Sequence, residues 1–426
     1  MLSRWVVEAS CLAYVGTLFA IAWWVDRHAE RSRTLLANPW VYTLSLGAYA
    51  TAWTFYGSAG LAAVDGPAFL PIYLGVSLAA LLASVVVRRM VRAVHRYHVT
   101  SIADLAAIRY GRSSLVGAAV ALVAIIGLVP YLALQLKAIS QTFLMLATGA
   151  PGASPASEPI WHDTALYAVL LLAAFAILFG ARALSPTERH DGLVAAIAVE
   201  SLAKLAAALT IGTFVTFVLY QGIGDLFAQA AAQLPHYERL VVIGGDHLPY
   251  SRWLGLLVVT TLVGLLLPSQ FHLAAVENRD EKHLEHVPWL FPLYMLAITL
   301  FVLPVALAGL MKFPSGTVKP DTFTLALPMV FGPPWLALLV FLGGLSAATA
   351  HVIVNTLALS IMACNNLVLP ALLRFGRGAA IGAGHDGRWV LHLRHALIVL
   401  LLALAYGYLQ LRGDTYAFVE IGLPSF

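Results

Sequence analysis

The chain has 426 residues, of which 60% are hydrophobic and 11% are charged. An average soluble domain has about 45–50% apolar and about 25% charged residues, so this composition argues against a soluble globular enzyme and against a disordered chain. The only two cysteines, Cys11 and Cys364, both lie in apolar runs, which argues against a disulfide-bonded scaffold.

Ten apolar stretches predict membrane spans, because a spanning helix needs about 20 predominantly apolar residues. The first has no small-residue cleavage site, so it is interpreted as a span and not as a signal peptide. In chain order the stretches are 9–25, 34–64, 66–87, 113–136, 164–181, 205–224, 253–276, 286–311, 322–373 and 395–411. They are numbered spans 1 to 10.

Two of these stretches need adjustment. Span 6 is predicted to begin near Gly192, which places Glu200 and Lys204 inside it. The stretch 322–373 is too long for one span, and Gly332-Pro333-Pro334 would break it, leaving a helix from about 335 to 364. Residues 415–426 look like the beginning of an eleventh span.

The basic residues predict the orientation. Seventeen of the 25 Lys and Arg residues lie in loops on one side of the predicted spans and six on the other, while Lys137 and Lys204 lie within spans. Because basic loops face the cytoplasm, the N-terminus is predicted to lie outside and the 88–112 loop inside. The same asymmetry explains the net charge of +4 without a nucleic-acid partner.

Three segments outside the spans have predicted features. Residues 100–110 predict a short amphipathic helix on the cytoplasmic surface, with Thr100 or Ser101 as its cap and Asp104 in its first turn. Residues 221–252 predict a partly helical external loop, and 149–160 predict turns. We find no phosphate loop, dinucleotide fingerprint or metal-spaced Cys/His cluster, so the sequence predicts no enzyme active site, no metal centre and no organic cofactor.

Several motifs carry a family resemblance. Residues 45–60 (SLGAYATAWTFYGSAG), 100–104 with 109–111 (TSIAD, RYG), 267–272 with 276–279 (LPSQFH, VENR) and 343–350 (GGLSAATA) resemble the sodium:solute symporter family over the whole chain. Residues 187–193 (TERHDGL), 200–205 (ESLAKL) and 276–294 are closest to the symporter-like N-terminal domain of CbrA-type bacterial sensor histidine kinases.

The resemblance implies an all-α, LeuT-like fold made of an inverted repeat, spans 2–6 and spans 7–11, with span 1 as an extra helix. The first span of each repeat is expected to be broken near the membrane midplane, where solute and ion bind. Since span 11 is incomplete, residues 1–426 are interpreted as one C-terminally incomplete transmembrane domain, with a kinase part expected further along the gene.

The predicted solute site lies around the two breaks. Small residues between Gly47 and Gly60 permit unwinding, and Tyr49, Trp53 and Tyr56 have spacings of four and three that would place them on one helical face; ordinary helix packing is the alternative. Pro130 would kink span 4 beside the site. The predicted solute-binding residues are Tyr49, Ala50, Trp53, Tyr56, Tyr131, Gln135, Thr260, Gln270 and His272.

The resemblance also assigns positions to an ion site. In transporters of the family an aspartate in span 2 contributes to ion coupling, and alignment on Trp53 places Tyr49 at that position. The carbonyl-donating positions of span 2 fall on Gly47 and Ala50, where any residue can supply the oxygen.

In span 9 the resemblance places a carbonyl donor at Ala347 and the two hydroxyl donors at Ala350 and His351. Sodium needs hard oxygen ligands, so the site is predicted to be degraded, although a shift of one residue would bring Thr349 into it. His351 would suit a proton-coupled or ion-independent protein, because imidazole titrates near neutral pH; a hydrogen-bonded packing role is the alternative.

Charged residues inside spans carry a further prediction. Glu200 and Lys204 are one helical turn apart, so they are predicted to form an intramembrane ion pair that lowers the cost of burying either charge. The pair would be structural or part of a gate or proton path. Lys137 is predicted to extend toward the extracellular interface.

These observations support a solute-binding and transport domain of a nutrient-sensing, two-component histidine kinase in the bacterial inner membrane. The expected ligand is a small polar solute, an amino acid such as histidine, and the expected partners are the C-terminal kinase module, its response regulator and the bilayer. The alternatives are an ordinary sodium- or proton-coupled symporter and, third, a membrane anchor that does not transport.

Overall fold

The computed structural model describes residues 2–28, 37–153, 161, 163–181, 190–244, 247–314, 316–374 and 388–412. Within these residues the ordered elements are helices, and one isolated bridge joins Gly244 to Leu248. The structure therefore confirms the all-α fold class. The predicted eleventh span, 415–426, lies outside the described residues.

Each of the ten predicted spans contains at least one helix. The α-helices within the spans are Arg4–Arg27 in span 1, Pro39–Leu46 and Ser58–Asp65 in span 2, Leu70–Leu81 in span 3, Ser114–Thr148 in span 4, Thr164–Phe175 in span 5, Asp191–Phe214 in span 6, Tyr250–Leu266 and Pro268–Phe271 in span 7, Val287–Thr299 and Val302–Lys312 in span 8, Pro334–Met362 and Leu369–Arg374 in span 9, and Arg388–Arg412 in span 10. A further helix, Arg88–Tyr97, begins just after the predicted end of span 3 and lies in the predicted 88–112 loop.

Wider π-helical turns extend or join several of these helices. They are Trp53–Gly57, Ala83–Val87, Ala176–Gly180, Val215–Leu219, His272–Val276 and Ala363–Val368. The remaining α-helices are Ile102–Arg109, Ile223–Gln233, Tyr237–Val241 and Phe323–Phe331.

Among the described residues, seven helical segments are long and apolar enough to cross a membrane, and the bent pair in span 7 makes an eighth. This number is below the ten spans predicted. Span 5, as Thr164–Gly180, is too short by this measure, and the helical part of span 2 is counted together with span 3 as Trp53–Leu81.

Spans 2 and 3 are nevertheless separate arms. The hydroxyl of Tyr73 donates a hydrogen bond to the Thr54 carbonyl at 2.7 Å. Nineteen helical residues would separate these groups by about 28 Å along one straight rod, so the chain must reverse between them. The reversal falls at Gly66, whose φ of 55° and ψ of −122° few other residues adopt.

The outward faces of the bundle are apolar. Large side chains such as Leu115, Val258 and Leu296 are more than half exposed on spans 4, 7 and 8. In a soluble protein such a surface would associate or aggregate, whereas lipid covers it without cost. Together with the lengths of the helices, this defines a multi-pass membrane protein.

Span 9 lies at the centre of the bundle. Of the residues in its most apolar stretch, 83% are buried, compared with 28% in the corresponding stretches of spans 4 and 10. Span 9 packs against spans 4, 6 and 10. It begins at Pro334, as the Gly332-Pro333-Pro334 break predicts. Span 6 begins at Asp191, which confirms the early start predicted near Gly192.

The surface segments also agree with their predictions. The helix Ile102–Arg109 is capped by Ser101, whose hydroxyl accepts a hydrogen bond from the Asp104 amide at 3.1 Å. The segment after span 6 is partly helical. Lys137 is an exception, since it is 3% exposed and does not extend toward the interface; span 4 continues to Thr148 and encloses it.

Candidate functional site

Span 2 is broken in the middle of the bundle, as predicted. Its first helix ends at Leu46, a single 3-10 turn follows at Gly47–Tyr49, and Ala50 has an extended conformation with ψ of 93°. Helical structure resumes after Thr51. Because the break removes helical partners, nearby carbonyl and amide groups must find others inside the protein.

Lys204 supplies two of those partners. Its ammonium nitrogen, Nζ, donates hydrogen bonds to the carbonyl oxygens of Gly47 and Ala50, both at 2.9 Å. The lysine is completely buried in span 6. The two carbonyls are those that the family resemblance assigns to the ion site, so an amino group of the protein contacts them.

Glu200, one turn earlier in span 6, bonds to span 9. Its carboxylate accepts a hydrogen bond from the Thr349 hydroxyl, and its backbone carbonyl accepts one from the Ser346 hydroxyl at 2.6 Å. Glu200 and Lys204 therefore share a buried helix face, but their head groups bond to different spans. The predicted ion pair between them is not among the contacts of the described residues; instead, Lys204 links span 6 to span 2 and Glu200 links span 6 to span 9.

Span 4 satisfies the opposite side of the break. The side-chain oxygen of Gln135 accepts a hydrogen bond from the Ala52 amide at 2.9 Å. The hydroxyls of Thr51 and Tyr131 lie 2.8 Å apart. Both span 4 residues predicted for the site thus contact the broken segment.

His351 of span 9 completes the enclosure. Its ring lies edge-on to the Tyr131 ring, with centroids 4.9 Å apart. Its Nε2 accepts a hydrogen bond from the side-chain amide of Asn355 at 2.6 Å. These contacts favour the role of a hydrogen-bonded packing residue, which stays a prediction.

Glycine permits the close approach of span 6 to the break. A Cβ atom placed on Gly47 would lie 2.7 Å from the Ser201 hydroxyl and 3.0 Å from the Tyr294 ring. The Tyr294 hydroxyl donates to the Ser201 carbonyl at 3.1 Å. A second glycine, Gly344, permits a close approach between span 9 and Tyr56 of span 2, because a Cβ on Gly344 would overlap the Tyr56 hydroxyl.

The predicted shared face of Tyr49, Trp53 and Tyr56 is wrong. The Tyr49 hydroxyl donates to the Ile72 carbonyl of span 3 at 3.2 Å, whereas Tyr56 packs against Gly344 in span 9. The break between residues 49 and 53 changes the direction of the chain, so helical spacing does not apply across it. Trp53 is completely buried.

The other predicted ion-site positions lie around the same point. Ala347 and Ala350 are completely buried in span 9 and offer methyl groups as side chains. The Thr349 hydroxyl is engaged with Glu200 and with the Leu345 carbonyl, the latter at 2.9 Å. A degraded ion site remains a prediction, and these contacts favour it.

Span 7 is also broken, at Leu267, where the helix axis bends by 45°. Thr260 lies away from the break of span 2, because its hydroxyl donates to the Pro71 carbonyl of span 3 at 2.7 Å. Gln270 lies beside a small cavity of about 30 Å³ that Tyr42, Leu46 and Phe291 also line. Its amide nitrogen has no hydrogen-bond partner among the described residues.

His272 takes part in a cluster at the end of span 7. The Glu277 carboxylate lies 2.6 Å from Nδ1 of His190 and 3.2 Å from Nε2 of His272, and it accepts a hydrogen bond from the His190 amide at 3.0 Å. Burial would raise the pKa of Glu277, but the two histidines outweigh burial and hold that pKa below its usual value.

Among the described residues, one group has the side chains to hold a transition-metal ion. It consists of His190, His272 and Glu277, whose ligand atoms lie within 4.8 Å of one another. Hydrogen bonds account for the contact of His190 with Glu277, whereas His272 lies within ion-pair distance of Glu277 without a hydrogen bond. Beside them, Arg279 forms an ion pair with Asp191, the first residue of the helix in span 6. The cluster therefore joins the start of span 6 to the end of span 7.

Sequence reasoning missed several members of these sites. Ser201, Tyr294 and Asn355 contact the break or its neighbours. Glu277 contacts both His272 and His190, the latter 87 residues earlier in the chain. The pairing of distant spans leaves no periodic signal in one sequence. The sequence shows a cluster of polar residues within the apolar helix of span 9, but it does not show which residues they contact.

A bundle of apolar helices with two broken spans and a polar, enclosed centre defines the class: a multi-pass membrane protein with a transporter fold. No family model matches the chain. The uncharacterized symporter YhjB of Bacillus subtilis (strain 168) is 26% identical over 310 residues, 72% of this chain. The chain spans 58% of that relative's length.

Two solved structures are similar to this chain. A sodium-coupled sialic acid symporter in a substrate-bound, outward-open state matches 99% of this chain and 85% of its own, with a TM-score of 0.67 and 12% identity. An Eremococcus coleocola manganese transporter matches 92% of this chain and 79% of its own at a TM-score of 0.48 and 16% identity. The sialic acid symporter shows that this chain has a LeuT-like transporter fold.

Proposed function

We propose that this chain is a secondary transporter that carries a small polar solute across the membrane. The observation that supports this most is the break of span 2, enclosed by polar groups of spans 4, 6 and 9. A break costs backbone hydrogen bonds, and in transporters such breaks form the solute site. The relative described as a symporter and the symporter fold support the same proposal.

The solute would bind beside Trp53, Tyr131 and Gln135. These side chains combine apolar rings with hydrogen-bonding groups, as small-molecule sites do. All three are at most 1% exposed, so a solute reaches them only after the surrounding spans separate. Alternating access would provide that second state, and solute binding would shift the balance between the two.

Uptake into proteoliposomes tests this proposal. The purified chain would be reconstituted and offered radiolabelled amino acids, histidine among them, and sialic acid, which the structural neighbour binds. Uptake above that of empty vesicles, competed by the unlabelled solute and reduced by Trp53→Ala, is the expected result. Binding that Trp53→Ala leaves unchanged would remove Trp53 from the solute site.

We further propose, as the second function, that the solute site serves as the input of a histidine kinase in the inner membrane, with the N-terminus outside. The segments around Glu200 and Glu277 resemble that subgroup, and the cluster of His190, His272 and Glu277 joins them. The gene region after Phe426 discriminates the two functions. A phosphoacceptor histidine and an ATP-binding region support sensing, whereas a stop after further spans supports transport alone.

A further inference from the structure

We propose that Lys204 is a tethered cation at the break of span 2 and that it replaces a bound sodium ion there. This inference rests on the proposed transport function, because it states which positive charge holds the two halves of span 2 together. It implies that solute binding and the closed bundle do not depend on sodium at this site.

The contacts at the break carry the inference. Carbonyl oxygens of unwound helices coordinate cations in transporters. Here the Gly47 and Ala50 carbonyls each accept a hydrogen bond from the Lys204 ammonium at 2.9 Å. One charge therefore bridges both ends of the 3-10 turn, the position that an ion shared between these carbonyls would take.

Two hydroxyls of span 9 near this point are also engaged. The Thr349 and Ser346 hydroxyls both donate to Glu200, one to its carboxylate and one to its backbone carbonyl. A sodium ion at the break would have to displace the ammonium, and these two hydroxyls could bind it only by leaving Glu200. Ala347 and Ala350, at nearby positions of span 9, have no side-chain oxygen to offer.

The packing around the break favours a side chain over a free ion. Gly47 lies so close to Ser201 and Tyr294 that a single added carbon would overlap them. Span 6 is therefore pressed against the turn, and Lys204 enters from that span. A charge buried in a membrane is costly, so a lysine kept there must gain specific contacts.

Lys204 also ties span 6 to span 2 mechanically. A sodium ion can leave, and its departure would release the two helices. A tethered ammonium stays on span 6, so its carbonyl contacts break only when span 6 moves relative to span 2. The inference therefore predicts a cation contact that every molecule carries, whatever the salt in solution.

Melting temperatures of the purified chain in detergent test this without any solute. We expect the wild-type melting temperature to be the same in sodium chloride and in choline chloride of equal ionic strength. Lys204→Met, which keeps the length of the side chain but removes the charge, should melt at a lower temperature in both salts. A wild-type protein stabilised by sodium but not by choline would overturn the proposal.

Two further variants keep the test decisive if Lys204→Met does not fold. In Lys204→Ala, which vacates the side-chain volume, methylammonium should raise the melting temperature toward that of the wild type, while choline, which is too large, should not. Gly255→Ala, at an open position of span 7, is the matched control and should not respond to methylammonium. Equal stability of Lys204→Met and wild type would refute a role for the charge.

The melting and transport experiments can fail independently, so together they distinguish the tethered cation from the transport function. If no solute is taken up but Lys204→Met is destabilised and wild type ignores sodium, the tethered cation stands and the transport proposal fails. If solute is taken up only with sodium and sodium raises the wild-type melting temperature, transport stands and the tethered cation fails.

Discussion

The side-chain oxygen of Gln135 accepts a hydrogen bond from the Ala52 amide at 2.9 Å. Span 4 thereby supplies the acceptor that the broken helix of span 2 lacks on one side, while Lys204 supplies donors on the other. The unwound segment is thus fixed by side chains of two different spans.

Gln135→Ala should destabilise the protein, because the Ala52 amide would remain buried without an acceptor. An unpaired buried group costs about 1–3 kcal/mol. Thermal or denaturant unfolding in detergent measures the loss. Gln233→Ala, on the exposed end of the helix Ile223–Gln233, is the control and should leave stability unchanged; an equal loss in both variants would argue against the bond.

Gly47→Ala should lower both stability and solute uptake. The added carbon would meet the Ser201 hydroxyl at 2.7 Å and the Tyr294 ring at 3.0 Å, and overpacking of this kind costs about 1–3 kcal/mol. Gly255→Ala has open space around it and should stabilise its helix by up to about 1 kcal/mol. Opposite signs for the two substitutions are the expected result, and a harmless Gly47→Ala would disprove the close approach.

A double-mutant cycle tests the hydrogen bond between Thr349 of span 9 and Glu200 of span 6. Thr349→Val removes the hydroxyl that donates to Glu200 without changing the side-chain shape, and Glu200→Gln removes the charge. Because the two groups are bonded, their effects should not add, with a coupling energy of about 1 kcal/mol, within the range found for polar contacts in membrane proteins. Additive effects would mean that the groups act independently.

The cluster at Glu277 predicts a dependence of stability on pH. His190 and His272 hold the pKa of Glu277 below its usual value of 4.5 despite burial. A carboxyl group with a lowered pKa in the folded state stabilises the fold at pH above 4.5, and this contribution is lost as the pH falls toward the folded-state pKa. Glu277→Gln should therefore destabilise the protein at neutral pH and flatten the acid side of its stability curve.

Glu281→Gln is the matched control for that measurement. Glu281 pairs with Arg92 on the exposed surface, where ion pairs contribute little. The stability of Glu281→Gln should therefore depend on pH in the same way as that of the wild type over this range. A Glu277→Gln protein with an unchanged acid transition would show that the histidine cluster does not stabilise the joint between spans 6 and 7.

Local features of the sequence predicted much of the fold. Apolar stretches identified the helices, Pro334 marked the start of span 9, and the Ser101 cap followed from residue type and position. The break of span 2 was predicted by the family resemblance and by its small residues. These features depend on neighbouring residues only, so one sequence contains them.

Contacts between distant spans were not predictable in this way. The carbonyls of Gly47 and Ala50 were expected to hold an ion, and Glu200 was expected to pair with Lys204, but the lysine bonds to those carbonyls. Helical spacing placed Tyr49 and Tyr56 on one face, yet the break redirects them to spans 3 and 9. Partner choice depends on how helices pack, which periodicity does not encode.

A structure determined experimentally in sodium-containing buffer, at a resolution that separates an ion from an ammonium group, tests the central claim most directly. The account predicts that Nζ of Lys204 lies between the Gly47 and Ala50 carbonyl oxygens, with span 2 broken between residues 49 and 53. A sodium ion bound to those carbonyls, with Lys204 turned away, or an unbroken span 2 would contradict it.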